Sequence, residues 1–241
     1  MEENLIVMRP IGHIRTDFAT KFGVPRQSGL VPSLTGRVVF APEFRSREAV
    51  RGLEEFSHIW LLWQFSGAVR PDAPFSPTVR PPRLGGNARL GVFATRSPFR
   101  PNALGLSCVR LLGLERDEKD GPVLRVAGAD LMDGTPIYDI KPYVPYADCR
   151  PDASAGFAPD PGRRLEVVFR PGLEERIPAE KRAALTGILA NDPRPRYQND
   201  PRRLYGLCFG AQNLRFRVEG ETLTVVEIEP KNKAESEETE S

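Results

Sequence analysis

The chain has 241 residues, 40% apolar and 27% charged, enough for one medium domain or a larger domain with a small appendage. No apolar run reaches the roughly 18 to 20 residues of a bilayer-crossing helix, and MEENLIVMRPIGHIR lacks the basic segment and apolar stretch of a secretion signal, so the expectation is a cytoplasmic protein without a membrane. Cys108, Cys149 and Cys208 are too few and too scattered for a disulfide framework or a cysteine zinc site, His13 and His58 are not in metal-ligand spacing, and the net charge of +2 becomes +6 without the four glutamates of the AESEETES tail.

In chain order, short apolar runs broken by glycine and proline fill the first 145 residues: LIVM, GRVVF, HIWLLWQF, RLGVFAT, LSCVRLLGL, VLRVAGADL and PIYDIKPYV. They read as strands, with one short helix near SREAVRGLEEF, and their spacing argues for an antiparallel barrel or sandwich over a doubly wound sheet. HIWLLWQF, apolar at nearly every position, is expected to be central. ADCRPDASAGFAPDPGR (147–163) has little to bury and reads as a linker or surface crossing. After it come a strand (LEVVF), a helix (PAEKRAALTGILAND, with Pro178 in its first turn), and the strands LYGLCFG, LRFRV and TLTVVEIE, a small α+β unit. The expected division is a mainly β domain over 1–150, a linker over 151–163, an α+β domain over 164–230 and a disordered acidic tail over 231–241.

No GxGxxG follows a strand, and LGGNARLG has neither the spacing nor the lysine of a phosphate-binding loop. What stands out is charge. Between Ala73 and Leu114 there is no acid, yet Arg80, Arg83, Arg89, Arg96, Arg100 and Arg110 fall inside. Such like charges repel unless distant acids such as Glu54, Glu55 or Asp139 pair with them, or a polyanion does, and Phe93 and Phe99 offer faces for a base or a guanidinium. A second basic cluster gathers Arg194, Arg196, Arg202 and Arg203 with Tyr197 and Tyr205. Arg215 and Arg217 follow two apart, on one face of a strand, so this region reads either as RNA contact or as salt-bridged surface. Asp133-Gly134-Thr135-Pro136 has the chemistry of a turn. VPRQSGL (24–30) is an early loop whose Arg26 and Gln27 offer forked and amide hydrogen bonds. His58 reads as a core or supporting histidine, or as a base.

The blocks KFGVPRQSGLV, AVRGLEEFSHIWLLWQF, TVRPPRLGGNARLGVFATRSPFRPNALGLS, DLMDGTPIYDIKPYVPYAD and NDPRPRY together resemble the TrmO (TsaA-like) family, from about Ile6 to Ile228. Its members are S-adenosylmethionine-dependent tRNA methyltransferases acting on N6 of the threonylcarbamoylated adenosine beside the anticodon. The resemblance implies a single antiparallel β-barrel of non-Rossmann type with a small second domain, and a homodimer whose active site lies near the subunit contact. It places S-adenosylmethionine against Arg26, Gln27 and Ser28, against Phe65, Arg96 and Leu106, and against Asp133, Gly134, Thr135 and Pro136. This chain reads RQS where a proline is expected after RQ in many relatives.

Asp133 and His58 are the candidates for catalysis; no metal is expected. tRNA is expected on Arg80, Arg83, Arg89 and Arg100 and, in the second unit, on Arg194, Arg196, Tyr197, Arg215 and Arg217. The competing readings are a non-catalytic RNA-binding or adaptor protein and a methyltransferase of small metabolites.

Overall fold

The computed structural model describes residues 6–68, 74–195, 198 and 200–231. Strands β1 (Gly12–Arg15), β2 (Thr35–Phe40), β3 (His58–Gln64), β4 (Thr78–Val79), β5 (Leu90–Gly91), β6 (Leu104–Asp117), β7 (Gly121–Ala127) and β8 (Pro136–Pro142) make up the first part. Six of them pair in the order β1-β2-β7-β6-β3-β8, all antiparallel, and β8 pairs back onto β1 through Gly12↔Ile137. The sheet closes on itself, so these six strands leave no unpaired edge.

The period of two in β3 decides what is inside. Ile59, Leu61 and Trp63 are buried in the ring, while His58, Trp60, Leu62 and Gln64 are half-buried on its outer side. β3 is central, flanked by β6 and β8, but only one face enters the core. Its outer face is partly covered by the segment after β8, where Trp60 Nε1 donates to Asp148 at 3.1 Å from the one-turn helix α1 (Pro145–Asp148). Trp63 lies opposite Gly105 of β6, and a Cβ on Gly105 would stand 2.3 Å from the indole. Only glycine fits there.

The second part contains β9 (Glu166–Phe169), α2 (Ala179–Ala190), β10 (Tyr205–Phe209), β11 (Gln212–Glu219) and β12 (Thr222–Pro230). The sheet order is β10-β11-β12-β9, with β9 parallel to β12. Helix α2 buries Ala184, Leu185, Ile188 and Leu189 at helical spacing against this sheet. Pro178 sits at its N-cap, one place before the first turn. The core of this part is completed by Phe18, Val31 and Leu34 from the segment between β1 and β2, and Phe18 meets Phe209 edge-on at 5.6 Å.

Several expected elements differ. Ile6, Val7 and Met8 of LIVM form no strand and are exposed; Leu5 lies outside the described residues. SREAVRGLEEF forms two 3-10 turns, Glu48–Val50 and Leu53–Glu55, because Gly52 between them takes φ 84 and stops helical propagation. RLGVFAT yields only the two residues of β5 and a 3-10 turn, Val92–Ala94. The acidic tail beyond Lys231 lies outside the described residues.

Candidate functional site

An open cleft of about 2050 Å³ lies between the early loop, the arginine-rich loop and the 155–161 crossing. Arg26, Gln27 and Leu30 line one side. Arg80, Arg83, Arg89, Arg96 and Arg100 line the other, with Gln64 and Tyr138 at the ring between them.

The early loop is held by burial and by backbone pairing. Val31 and Leu34 enter the second core, Gly29 N donates to Gly128 O at 2.8 Å, and Gly128 N donates to Leu34 O at 2.8 Å. Arg26 Nη2 reaches Arg194 O at 3.3 Å. Gln27 accepts from Arg96 Nη1, which ties this loop to the arginine-rich one.

The arginine-rich loop is built from small closures. β4 and β5 pair over two residues each, and Pro82–Leu84 makes a 3-10 turn ended by Gly85 at φ 70. Val92 is the buried anchor; Thr95 Oγ1 donates to Val92 O at 2.8 Å, and Arg100 Nη1 donates to Thr95 O at 2.9 Å. Phe93 is 72% exposed, 6.4 Å from Phe75 and 6.0 Å from the Arg100 guanidinium. A long apolar side chain kept in water beside a cation is a feature of a contact surface.

The charge of this loop is mostly unmatched. Arg83 donates to Asp160 Oδ1 at 2.7 Å, whereas Arg89 donates to the Thr78 hydroxyl at 3.3 Å. Among the described residues no carboxylate lies within ion-pair distance of Arg80, Arg89, Arg96 or Arg100. Of the distant acids expected to compensate, Asp139 pairs instead with Lys141 at 3.1 Å, and the acid that does reach the loop, Asp160, belongs to the crossing.

Other expected site residues lie apart from the cleft lining. Asp133 accepts from Thr16 N at 2.8 Å, Gly134 takes φ 74, Thr135 is buried and donates to Met132 O, and Pro136 opens β8 opposite His13. This turn fastens β8 to β1. Phe65 packs on Trp63 at 4.2 Å, and Leu106 is 56% exposed on the outer side of β6. His58 is placed badly for catalysis: it starts β3, and six residues of rise set it roughly 20 Å from the cleft end at Gln64. It bonds Ser57 Oγ at 2.9 Å and packs on Tyr143.

In the second basic cluster, Arg194 is turned inward. It is 7% exposed, doubly bonded to Asp192 at 2.8 and 2.9 Å, and lies over Tyr205 at 5.9 Å, so its fork is already occupied. That pairing raises its pKa further. Arg215 and Arg217 share the exposed face of β11 as expected, Arg215 pairing with Glu227 at 3.3 Å. Arg196 and Tyr197 lie outside the described residues.

The sequence reading passed over one group. Ser107 is fully buried, accepts from Trp63 Nε1 at 2.9 Å and donates to Asp130 Oδ1 at 2.5 Å. Burial pushes the Asp130 carboxyl above the usual range, outweighing the Ser107 bond and the nearby Arg96 charge. A signal existed: in LGLSCVRLL the inward positions alternate Gly105, Ser107, Val109 and Leu111, and a serine on that face demands a polar partner.

The tRNA-methyltransferase O N-terminal domain model matches residues 13–149, and the TrmO C-terminal domain model matches 162–231. A tRNA (adenine(37)-N6)-methyltransferase of Escherichia coli strain K12 is 43% identical over 92% of this chain and 97% of its own. A putative S-adenosylmethionine-dependent methyltransferase of Pseudomonas aeruginosa is 47% identical over 82% and 86%. A crystal structure of TrmO from Pseudomonas aeruginosa superposes with a TM-score of 0.75 at 35% identity, over 95% of this chain and 100% of that one. The chain therefore belongs to the TrmO family of tRNA methyltransferases.

Proposed function

We propose that this chain transfers a methyl group from S-adenosylmethionine to N6 of N6-threonylcarbamoyladenosine at position 37, beside the anticodon, in threonine tRNA. It acts in the cytoplasm as a homodimer. A single barrel within 1–150 holds the donor, with 151–163 a linker and 164–230 a second domain. The observation that carries the reading is the cleft itself, in which Arg26 and Gln27 face Arg80, Arg89 and Arg100 across one opening.

The residues present suit the donor. Arg26 and Arg96 offer forks to a carboxylate, and Gln27 and the Ser28 backbone offer polar contacts. Phe65, Leu106 and the Asp133–Pro136 turn, which lie outside the cleft lining, are further donor contacts that the family resemblance implies. S-adenosylmethionine held here would supply a methyl already activated on a sulfonium: the N6–C bond would form as the S–C bond breaks, S-adenosylhomocysteine would leave, and the N6 proton would pass to water. The task of the protein is alignment and exclusion of water. Arg100 and Arg89 neutralise phosphate, Phe93 stacks a base, and Arg83 or Arg100 meets the threonylcarbamoyl carboxylate.

The test is methyl incorporation into threonine tRNA with and without the threonylcarbamoyl group, alongside calorimetry with S-adenosylmethionine. Heat with S-adenosylmethionine alone, together with transfer that requires the modified tRNA, supports the reading. Absence of both favours a non-catalytic RNA-binding protein, and transfer without tRNA favours a small-metabolite methyltransferase.

A further inference from the structure

Beside the cleft, three polar side chains run in series from the interior of the ring toward the early loop. An indole N–H can only donate, so Ser107 Oγ accepts from Trp63 at 2.9 Å and must turn its own hydrogen to Asp130 Oδ1 at 2.5 Å. The direction of the series is therefore fixed, and Asp130 is its terminal acceptor. On its other side the carboxyl feels the Ser28 backbone N–H of the early loop and, from beyond ion-pair distance, the charge of Arg96 in the arginine-rich loop.

Two further contacts seat the same loop on the same segment. Gly29 N donates to Gly128 O at 2.8 Å, and a Cβ on Gly128, itself at φ 77, would come within 3.2 Å of the Gly29 backbone. Arg96 in turn donates to Gln27. Asp130, with one oxygen already committed to Ser107, thus stands two residues beyond the point at which Gly29 is seated, and Arg96 is tied to the same loop through Gln27.

We propose that Asp130 is a positioning residue of the donor pocket: its carboxylate, fixed from behind by Ser107 and Trp63, holds the Ser28–Gly29 stretch of the early loop, and through Gln27 the Arg96 guanidinium, in the arrangement that receives S-adenosylmethionine. This rests on the methyltransferase reading above. The ionised form attracts the Ser28 N–H and the Arg96 charge, so donor affinity falls as pH drops through the Asp130 value, which lies above that of an ordinary carboxylate. Stability runs the other way. A carboxyl raised by burial contributes its full stability below its unfolded-state value and loses it as pH rises through the folded one. Asp130 therefore costs stability in the state that positions the loop, which a group kept only for the fold would not do.

Asp130→Asn keeps an acceptor for Ser107 and removes the charge. In a Trp60→Phe background, where Trp63 is the remaining tryptophan, calorimetry should show the Kd for S-adenosylmethionine rising about tenfold at neutral pH, as for loss of a charged hydrogen bond. The acid limb of donor affinity should disappear, kcat at saturating donor should stay within about threefold, and the thermal midpoint at neutral pH should hold or rise. Asp130→Glu should restore part of the affinity and the acid limb.

Unchanged donor affinity in the folded Asn variant overturns the proposal, as does a parallel fall of affinity and thermal midpoint with the acid limb intact. If that variant does not fold, Ser107→Ala, which removes the rear support, must weaken donor binding; unchanged binding overturns the proposal. If the unsubstituted protein takes up no S-adenosylmethionine, the methyltransferase reading fails. The pH titration of Trp63 emission without donor then decides: an acid inflection lost in Asp130→Asn sustains control of the network by Asp130, and no such inflection overturns it.

Discussion

The two loops that face each other across the cleft are made stable in opposite ways. The early loop is clamped: Phe18, Val31 and Leu34 are at most 3% exposed in the second core, Gly29 N donates to Gly128 O just past β7, and Gly128 N donates to Leu34 O. The arginine-rich loop buries Pro81 and Val92 and is otherwise shaped by prolines, glycines and two-residue strands. Rigid burial on one side suits recognition of a small donor of fixed shape, because ordering is paid for on folding. An open, like-charged surface on the other suits a long polyanion, since counterion release and stacking need little shape. The second domain thereby does more than extend a basic surface. Its sheet supplies the floor on which the early loop rests.

That contrast breaks most readily at Phe18. Phe18→Ala removes a fully buried ring from its contact with Phe209 and should cost about 3–5 kcal/mol in denaturant unfolding. Because the lost contact joins the two parts of the chain, S-adenosylmethionine binding should weaken too, measured under conditions where the variant is still folded. A normal unfolding midpoint would mean that the second core does not support the loop.

Next in size is Ser107→Ala. It strands the Trp63 indole N–H and the Asp130 carboxyl in the interior, at a cost of about 1–3 kcal/mol. A thermal melt at neutral pH measures it. Asp130→Asn should show no such loss there, and that difference between two partners of one network separates removal of a hydrogen bond from removal of a buried charge.

The arginine-rich side should respond to salt and leave stability nearly untouched. Arg100→Ala removes a half-buried guanidinium held by Thr95 O and poised 6.0 Å from Phe93. If it neutralises one phosphate, tRNA affinity falls and the slope of log K against log salt flattens by about 0.9. Calorimetry with S-adenosylmethionine should be unaffected. Equal salt slopes in the two proteins would remove Arg100 from the RNA surface.

Most of the strands were legible because alternation and glycine-proline breaks report local structure directly, as GRVVF, HIWLLWQ and TLTVVEIE do. The failures have physical causes. RLGVFAT is apolar enough for a strand, but prolines and paired glycines around it leave room for two residues of ladder. The site was legible as a set of charged and turn residues, and not as a geometry. Nothing in DPRPRY says that Arg194 folds back on Asp192, two residues before it, and away from solvent. Nothing in DLMDGTP distinguishes Asp133, which closes a turn on Thr16, from Asp130, which ends a buried hydrogen-bond series. Long-range partners decide both.

The smallest effect tests the crossing. Asp160 takes Arg83 at 2.7 Å and also accepts from Gly162 N at 2.6 Å, so a flexible-looking segment has placed one carboxylate where a phosphate would otherwise go. Asp160 is 62% exposed, so the pair contributes about 0–1 kcal/mol and its loss should leave the melting temperature nearly unchanged. Asp160→Ala should nevertheless tighten tRNA binding by a few-fold at low salt, because Arg83 no longer exchanges one anion for another, and should steepen the salt slope. Arg83→Ala in the same background should return both to the starting level. If Asp160→Ala leaves affinity and slope unchanged, Arg83 faces no phosphate and the electrostatic half of the contrast shrinks to Arg80, Arg89 and Arg100.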